Sequence, residues 1–204
     1  MEILKQEGIL KASEILKNGG VLAIPTETVY GLAVVYDEKS SFDALVKVKK
    51  RKPNKPFALA CGSVEQALEY VEIDKKTKAV MDAFLPGELT ILVNAKQNLP
   101  SHVTLGTNVI GIRIPNYPFV CDLIKEVGKP CLLTSANISD CPASRDYREV
   151  LGYFDNQIDG LVEGECHSLV PTTIVNLSIP GKISLVRQGA LSYDEIKKIW
   201  EEAK

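Results

Sequence analysis

The feature that most constrains this chain is an abrupt change of period near its start. Ile9, Ala12, Ile15 and Leu16 recur at helical spacing, and Asn18-Gly19-Gly20 stops that run. Val21-Leu22-Ala23-Ile24 follows as an unbroken apolar segment ending at Pro25. An amphipathic helix that gives way within a few residues to a buried strand belongs to a layered α/β fold. The same alternation continues along the chain. Helices are predicted over Ser41–Lys49, from Ser63, around Ala79–Phe84, over Pro118–Val127, around Tyr147–Phe154 and after Ser192. Ser63 with Gln66, and Ser192 with Glu195, have capping-box form. Strands are predicted at Phe57–Ala60, Leu89–Val93, Val109–Ile114, Cys131–Thr134, Thr173–Leu177 and Ile183–Val186. Near the middle the order is not a simple β-α-β repeat, so the sheet should be mixed. With no repeat, low-complexity tract or linker, residues 1–204 read as a single domain.

Composition narrows the function. The 204 residues are 45% hydrophobic and 25% charged, with net charge −2, which excludes a disordered chain and a highly basic nucleic-acid coat protein. The five cysteines, Cys61, Cys121, Cys131, Cys141 and Cys166, are odd in number and show no C-x-x-C spacing. They read as reduced thiols that neither catalyse nor cross-link, and a cysteine or histidine metal site is not expected. Lys and Glu interrupt the N-terminal segment, so it does not look like a signal peptide, and no apolar run is long enough for a membrane span. The expectation is a soluble cytoplasmic protein.

Three segments could carry chemistry. Residues 47–55 hold six basic side chains in nine positions: Lys47, Lys49, Lys50, Arg51, Lys52 and Lys55. They fit either a solvated helix end or a phosphate site, with Lys as point charge and Arg as fork. Pro25-Thr26-Glu27-Thr28-Val29-Tyr30-Gly31-Leu32 follows the first strand. It is either a self-stabilised polar turn or a ligand loop. Thr134-Ser135-Ala136-Asn137-Ile138-Ser139 is either a capping cluster or a set of small donors for a carboxylate, ribose or phosphate. No dinucleotide or Walker loop, nucleophile elbow or paired catalytic carboxylates accompany them.

Taken together, PTETVYGL, Lys49-Lys50-Arg51 with Lys55-Pro56, Pro86-Gly87-Glu88-Leu89-Thr90, Ile112-Arg113-Ile114-Pro115 and Ser135-Ala136-Asn137 resemble the YrdC-like threonylcarbamoyl-AMP synthases, in the family's order and over residues 20–190. The resemblance implies a twisted open α/β sheet with helices on its flanks and a concave basic face. It implies synthesis of threonylcarbamoyl-adenylate and pyrophosphate from L-threonine, bicarbonate and ATP, with Mg²⁺ accompanying the nucleotide. A partner enzyme would then transfer the threonylcarbamoyl group to an adenosine of tRNA, and direct contact of this chain with that tRNA is a further implied partner interaction. The chain is similar to the family's short form.

Carried over by position, Lys49, Arg51, Lys55, Asn137, Thr172 and Arg187 are the expected ATP-binding residues. Lys49, Arg51 and Arg187 would stabilise phosphate charge. Thr26, Tyr30, Arg113 and Ser135 are the expected threonine-binding residues, with Arg113 on the carboxylate. No side-chain nucleophile is implied. Three positions depart from the family pattern: Ala60 where many relatives have His, Asp140 where Gly is frequent, and Glu88 in place of a frequent Pro. A module that binds tRNA or double-stranded RNA without adenylation is the alternative from another class. A carbamoyl-transfer domain of the kind found in longer protein-maturation chains is a third.

Overall fold

A computed structural model describes residues 1–52, 55–96 and 99–203. Pro53 and Asn54 of the basic segment, and Lys204 at the end of the expected domain, lie outside the described residues. In chain order the strands are β1 (Glu2–Leu4), β2 (Leu22–Ile24), β3 (Gly31–Val35), β4 (Ala58–Ala60), β5 (Val71–Glu72), β6 (Leu89–Ala95), β7 (Val109–Arg113), β8 (Cys131–Ser135), β9 (Gly160–Val162), β10 (Thr173–Asn176) and β11 (Ser184–Arg187). The α-helices are α1 (Ile9–Lys17), α2 (Lys39–Lys49), α3 (Val64–Leu68), α4 (Lys75–Phe84), α5 (Ser101–Thr104), α6 (Pro118–Val127), α7 (Tyr147–Phe154) and α8 (Tyr193–Glu202).

The strands form one open sheet in the order β1-β9-β2-β3-β8-β4-β7-β6-β10-β11, with β5 beside β6. Parallel pairs (β4 with β7, β6 with β10) alternate with antiparallel ones (β3 with β8, β6 with β7), so the sheet is mixed. Strand alternation feeds two cores, one on each face. Leu22, Ile24, Ala33 and Val35 meet Leu16, Val120, Leu123 and Ile124 of α1 and α6. Val21, Ala23, Leu32 and Val34 join Phe42, Leu45, Met81, Phe154, Ile196 and Trp200 on the other face. Each face is thus sealed by helices, which is why β2 and β3 read as continuous apolar runs.

Local signals set most helix ends. Pro118 opens α6 and Gly128 closes it at φ 82°. Ser63 caps α3 by accepting from Gln66 N, and Asp146 caps α7 by accepting from Arg148 N and Glu149 N. Ser192 precedes α8 but its hydroxyl makes no capping bond. The end of α2 matters most for the site. Lys50 takes the left-handed conformation, φ 49°, while Lys50 N–H bonds Lys47 O and Arg51 N–H bonds Val46 O. That reversal sends Lys49 into the interior and Arg51 toward the sheet.

Elements of two or three residues, β1, β5 and β9, were not among the predicted strands, because so few positions show no period. β3 also differs from the expectation: Gly31 and Leu32, read as the tail of a polar segment, open a fully buried strand antiparallel to β2. PTETVY is therefore the loop of a hairpin. No helix among the described residues is long and apolar enough to cross a membrane.

Gly189 shows how tightly the last strand is laid on. A Cβ there would fall on Pro171 O and the Thr172–Thr173 backbone. Gly152 in α7 has open space around its Cβ position. Gly189→Ala should lower stability by about 1–3 kcal/mol in urea unfolding, because backbone must move to accept the methyl. Gly152→Ala should raise it by roughly 0.5–1 kcal/mol through helix propensity. A Gly189→Ala protein as stable as the parent would show that β11 is not held against residues 171–173 in this way.

Candidate active site

A cleft of about 410 Å³ opens on the sheet between β8 and β11. Its floor is low because Ala58 and Gly111 sit side by side on the paired strands β4 and β7. A side chain at Gly111 would press on Leu92 Cδ2 at 3.3 Å. Phe57, Leu92, Leu133, Ile174 and Val186 supply apolar wall, and Thr28, Thr90, Thr134, Ser135 and Thr172 supply hydroxyls. Arg51, Arg113 and Arg187 supply three guanidinium groups. No carboxylate side chain lines it among the described residues.

Arg113 ends β7, and the hairpin loop after β2 folds over it. Its Nη2 donates to Thr28 Oγ1 (2.7 Å), Thr26 Oγ1 (3.1 Å) and Glu27 Oε1 (3.2 Å). Thr26 is fully buried and also bonds Val29 O, so it holds the loop and the guanidinium together. Arg187 donates through Nε and Nη2 to Thr172 O, and Thr172 Oγ1 lies 2.9 Å from Thr90 Oγ1. Thr90 pairs directly across the sheet with Arg113. A continuous polar strip therefore runs from Arg113 through Thr90 and Thr172 to Arg187. Burial first, and then neighbouring Arg113, hold the Arg187 guanidinium below its usual range.

Arg51 reaches the cleft from the end of α2. It donates to Lys55 O (3.0 Å) and Pro56 O (2.8 Å), and its guanidinium lies 4.6 Å from the Phe57 ring centroid. That stacking leaves one guanidinium edge for a ligand. Burial lowers its proton affinity as well.

Several expected contacts are placed elsewhere. Lys49 does not line the cleft. It is 2% exposed, and its Nζ reaches Ser135 O (2.6 Å), Asn137 O (3.0 Å) and Asn137 Oδ1 (3.0 Å). Burial and then Arg51 pull this ammonium down to about 8. Asn137 is turned to the same network, with Nδ2 donating to Ile138 O and Cys141 O. Ser135 remains at the wall, its hydroxyl 2.6 Å from Asn137 Oδ1. Tyr30 does not line the cleft: it is fully buried, with its hydroxyl 2.8 Å from Gly164 O and 3.0 Å from Val162 O. The reason is strand alternation in the hairpin, which turns Tyr30 away from Arg113. Lys55 is exposed, 3.9 Å from Asp140 across an open gap. Asp140 takes φ 68°, the left-handed conformation that a family glycine would occupy. Cys61 and Cys131 are buried, and burial pushes both thiols up to about 12, while Cys141 is exposed.

Sequence reasoning did not assign Thr28, Glu27, Thr90 or Phe57 to the site. Thr28 and Glu27 stood inside PTETVYGL and Thr90 inside PGELT, so the motifs contained them. What was missing was the register that sets Thr90 opposite Arg113.

A family model described as "Telomere recombination" (Sua5/yciO/yrdC) matches residues 14–189. The threonylcarbamoyl-AMP synthase of Mus musculus is 31% identical over 189 residues, covering 90% of this chain and 67% of its own. The threonylcarbamoyl-AMP synthase of Bacillus subtilis is 29% identical over 194 residues, covering 94% of this chain and 56% of its own. The crystal structure of P. abyssi Sua5 complexed with L-threonine superposes with TM-score 0.93 at 27% identity, over all of this chain and 62% of that one. The chain thus spans about two thirds of the length of these relatives, or somewhat less. With a match over most of its length and the same fold throughout, this chain belongs to the Sua5/YciO/YrdC family.

Proposed function

We propose that this chain is a threonylcarbamoyl-AMP synthase, joining L-threonine, bicarbonate and ATP into threonylcarbamoyl-adenylate with release of pyrophosphate. The observation that carries the reading is the cleft wall: three guanidinium groups and five hydroxyls over a floor of Ala58 and Gly111, with no Cys, His or Lys side chain among the described lining residues. Such a wall suits anionic substrates that react with one another. The threonine amine and bicarbonate form a carbamate, and a carbamate oxygen attacks the α-phosphorus of ATP, displacing pyrophosphate. The protein's part is to position these groups and offset their charge.

In this reading Arg113 holds the threonine carboxylate and Thr28 and Ser135 face its hydroxyl. Thr26 acts one layer behind, by fixing Arg113. Arg51 and Arg187 meet phosphate oxygens, with Thr172 beside them. Lys49 and Asn137 shape the Ser135–Asn137 turn from within, a supporting task rather than direct contact. Mg²⁺ prefers oxygen ligands, carboxylates above all. The cleft lining offers none, so Mg²⁺ belongs to the substrate, bound to the triphosphate. The mixed anhydride would pass to an enzyme that transfers its threonylcarbamoyl group to a tRNA adenosine. A concave basic face could also meet that tRNA.

The reading is tested by pyrophosphate release with and without L-threonine and bicarbonate; release that ignores both removes it. Arg51→Ala should weaken ATP use at least about tenfold, since a charged hydrogen bond to phosphate is worth about 1.5–3 kcal/mol. Lys47→Ala, on the exposed side of α2, should leave it near normal. Equal losses would mean a diffuse field in place of an aimed Arg51.

Substrate choice gives a second check. A wall that hydrogen-bonds a hydroxyl disfavours an analogue lacking one, because buried polar groups stay unpaired. We expect kcat/KM for 2-aminobutyrate to fall well below that for threonine, with serine between them. Arg113→Lys should raise the threonine KM, since an ammonium cannot supply a planar fork. Unchanged threonine affinity in that variant would take Arg113 off the carboxylate.

A further inference from the structure

The pair formed by Arg113 and Glu27 is buried yet incomplete. One nitrogen, Arg113 Nη2, meets one oxygen, Glu27 Oε1, at 3.2 Å. Glu27 Oε2 and Arg113 Nε are both shut away from solvent and have no hydrogen-bond partner among the described residues. Buried polar atoms are almost always partnered, and arginine–carboxylate pairs commonly close into a two-bond fork. Two orphans on one ion pair therefore mark bonding capacity that the folded chain does not use. Glu27 and Arg113 are 7% and 8% exposed; Arg113 lines the cleft, and Glu27 stands behind it in the hairpin loop. Glu27 also reaches a second hollow lined by Glu88, Asn116 and His167.

We propose that Glu27 meets the α-ammonium of the amino-acid substrate and removes its proton. This rests on the function proposed above and deepens it. An α-amino acid carries a carboxylate and an ammonium on one carbon. A guanidinium and a carboxylate held 3.2 Å apart present the opposite charge to each. Among the described residues the charged side chains lining the cleft are all arginines, so the carboxylate offered to the ammonium is Glu27, 3.2 Å behind Arg113 and lining the second hollow. An ammonium nitrogen has no lone pair and cannot attack carbon. One proton passes from nitrogen to Glu27, and the freed lone pair forms the N–C bond to bicarbonate. The C–OH bond breaks, and a second N–H proton leaves with that hydroxyl as water. The products are the carbamate, water and protonated Glu27.

The charged and titratable groups around Glu27 are Arg113, with Arg187 beyond it, the thiols of Cys121 and Cys166, and His167 and Glu88 across the hollow. The two thiols are raised chiefly by burial, which Glu27→Gln leaves in place, so the pH dependence of the ratio of the two proteins' rates reports Glu27. With saturating ATP and bicarbonate, kcat/KM for threonine is measured for both from roughly pH 6.5 to 8.5. Glu27→Gln should be at least about a hundredfold slower at the acid end. The deficit should narrow by about tenfold per pH unit, as free amine takes the place of the lost acceptor. A deficit that does not change with pH overturns the proposal, because Glu27 would then only steady Arg113. A second measurement needs no variant. Calorimetry of threonine binding to wild type, in two buffers of different ionisation enthalpy, should show no net proton release near pH 7. Release of about one proton per threonine means that the free amine is what binds, and it too overturns the proposal. Absence of threonine-dependent pyrophosphate release in wild type is a different failure, which removes the underlying reading as well.

Discussion

Arg113 is the interaction on which the rest of the site depends. A guanidinium 8% exposed at the end of a central strand is costly unless its donors are met. The hairpin loop meets one of its nitrogens, Nη2, with three oxygens from three successive residues, Thr26, Glu27 and Thr28. That requirement dictates the loop's composition, since two short hydroxyls and one longer carboxylate can converge on one nitrogen. It also ties β2–β3 to β7, strands that are not neighbours in the sheet. The loop is anchored from behind as well, where Glu27 O and Thr28 O accept from Ser168 N and Leu169 N. The cleft wall is therefore rigid where the positive charge stands.

Much of this was legible in the sequence, and the failures have physical causes. α6 was readable to the residue because Pro118 and Gly128 punctuate a strongly one-sided helix. Mixed sheet order was readable in outline, but β3 was not separated from the polar run before it. Its pairing partner β8 lies about a hundred residues away, and no local signal reports that pairing. In the site, residue types were easier to read than directions. Arg51, Arg113, Ser135, Thr172 and Arg187 all reach the cleft, while Tyr30 and Lys49 turn inward. Direction at Tyr30 follows from strand alternation, and at Lys49 from the left-handed residue that ends α2. Lys50 is not a glycine, so composition gave no warning of that reversal.

Lys49 shows why a lysine can resemble a phosphate ligand in sequence and serve another purpose in the fold. An ammonium has three N–H donors, and here three oxygens of the Ser135–Asn137 turn stand at 2.6–3.0 Å. Ser135 O also accepts from Asn137 N, and Asn137 Oδ1 from the Ser135 hydroxyl, so the ammonium braces a turn that is already cross-linked. Asn137 then spends its remaining donors on Ile138 O and Cys141 O, and Ser139 N returns to Lys49 O. The outcome is a closed network that leaves the wall hydroxyl of Ser135 in a fixed place. Lys49 sets the shape of a contact surface that other side chains present.

The charge balance of the wall decides what it can hold. Arg51, Arg113 and Arg187 converge on one cleft, and among the described residues Glu27 is the one carboxylate within ion-pair distance of them. Like charges held together in a partly buried place raise the free energy of the protein alone, and Arg187 registers this through both burial and Arg113. The three do not repel into solvent because each is tied down: Arg187 to Thr172, Arg51 to Lys55 and Pro56, Arg113 to the loop. A ligand bearing several negative charges relieves that repulsion, and a neutral or cationic one does not. In the proposed reaction the same fixed groups would gain further as negative charge moves onto the departing pyrophosphate, because they need not reorganise to meet it. Selectivity for anions and, in the proposed reaction, stabilisation of the leaving group would thus be two consequences of one arrangement, set by the hydrogen bonds that keep three arginines in place.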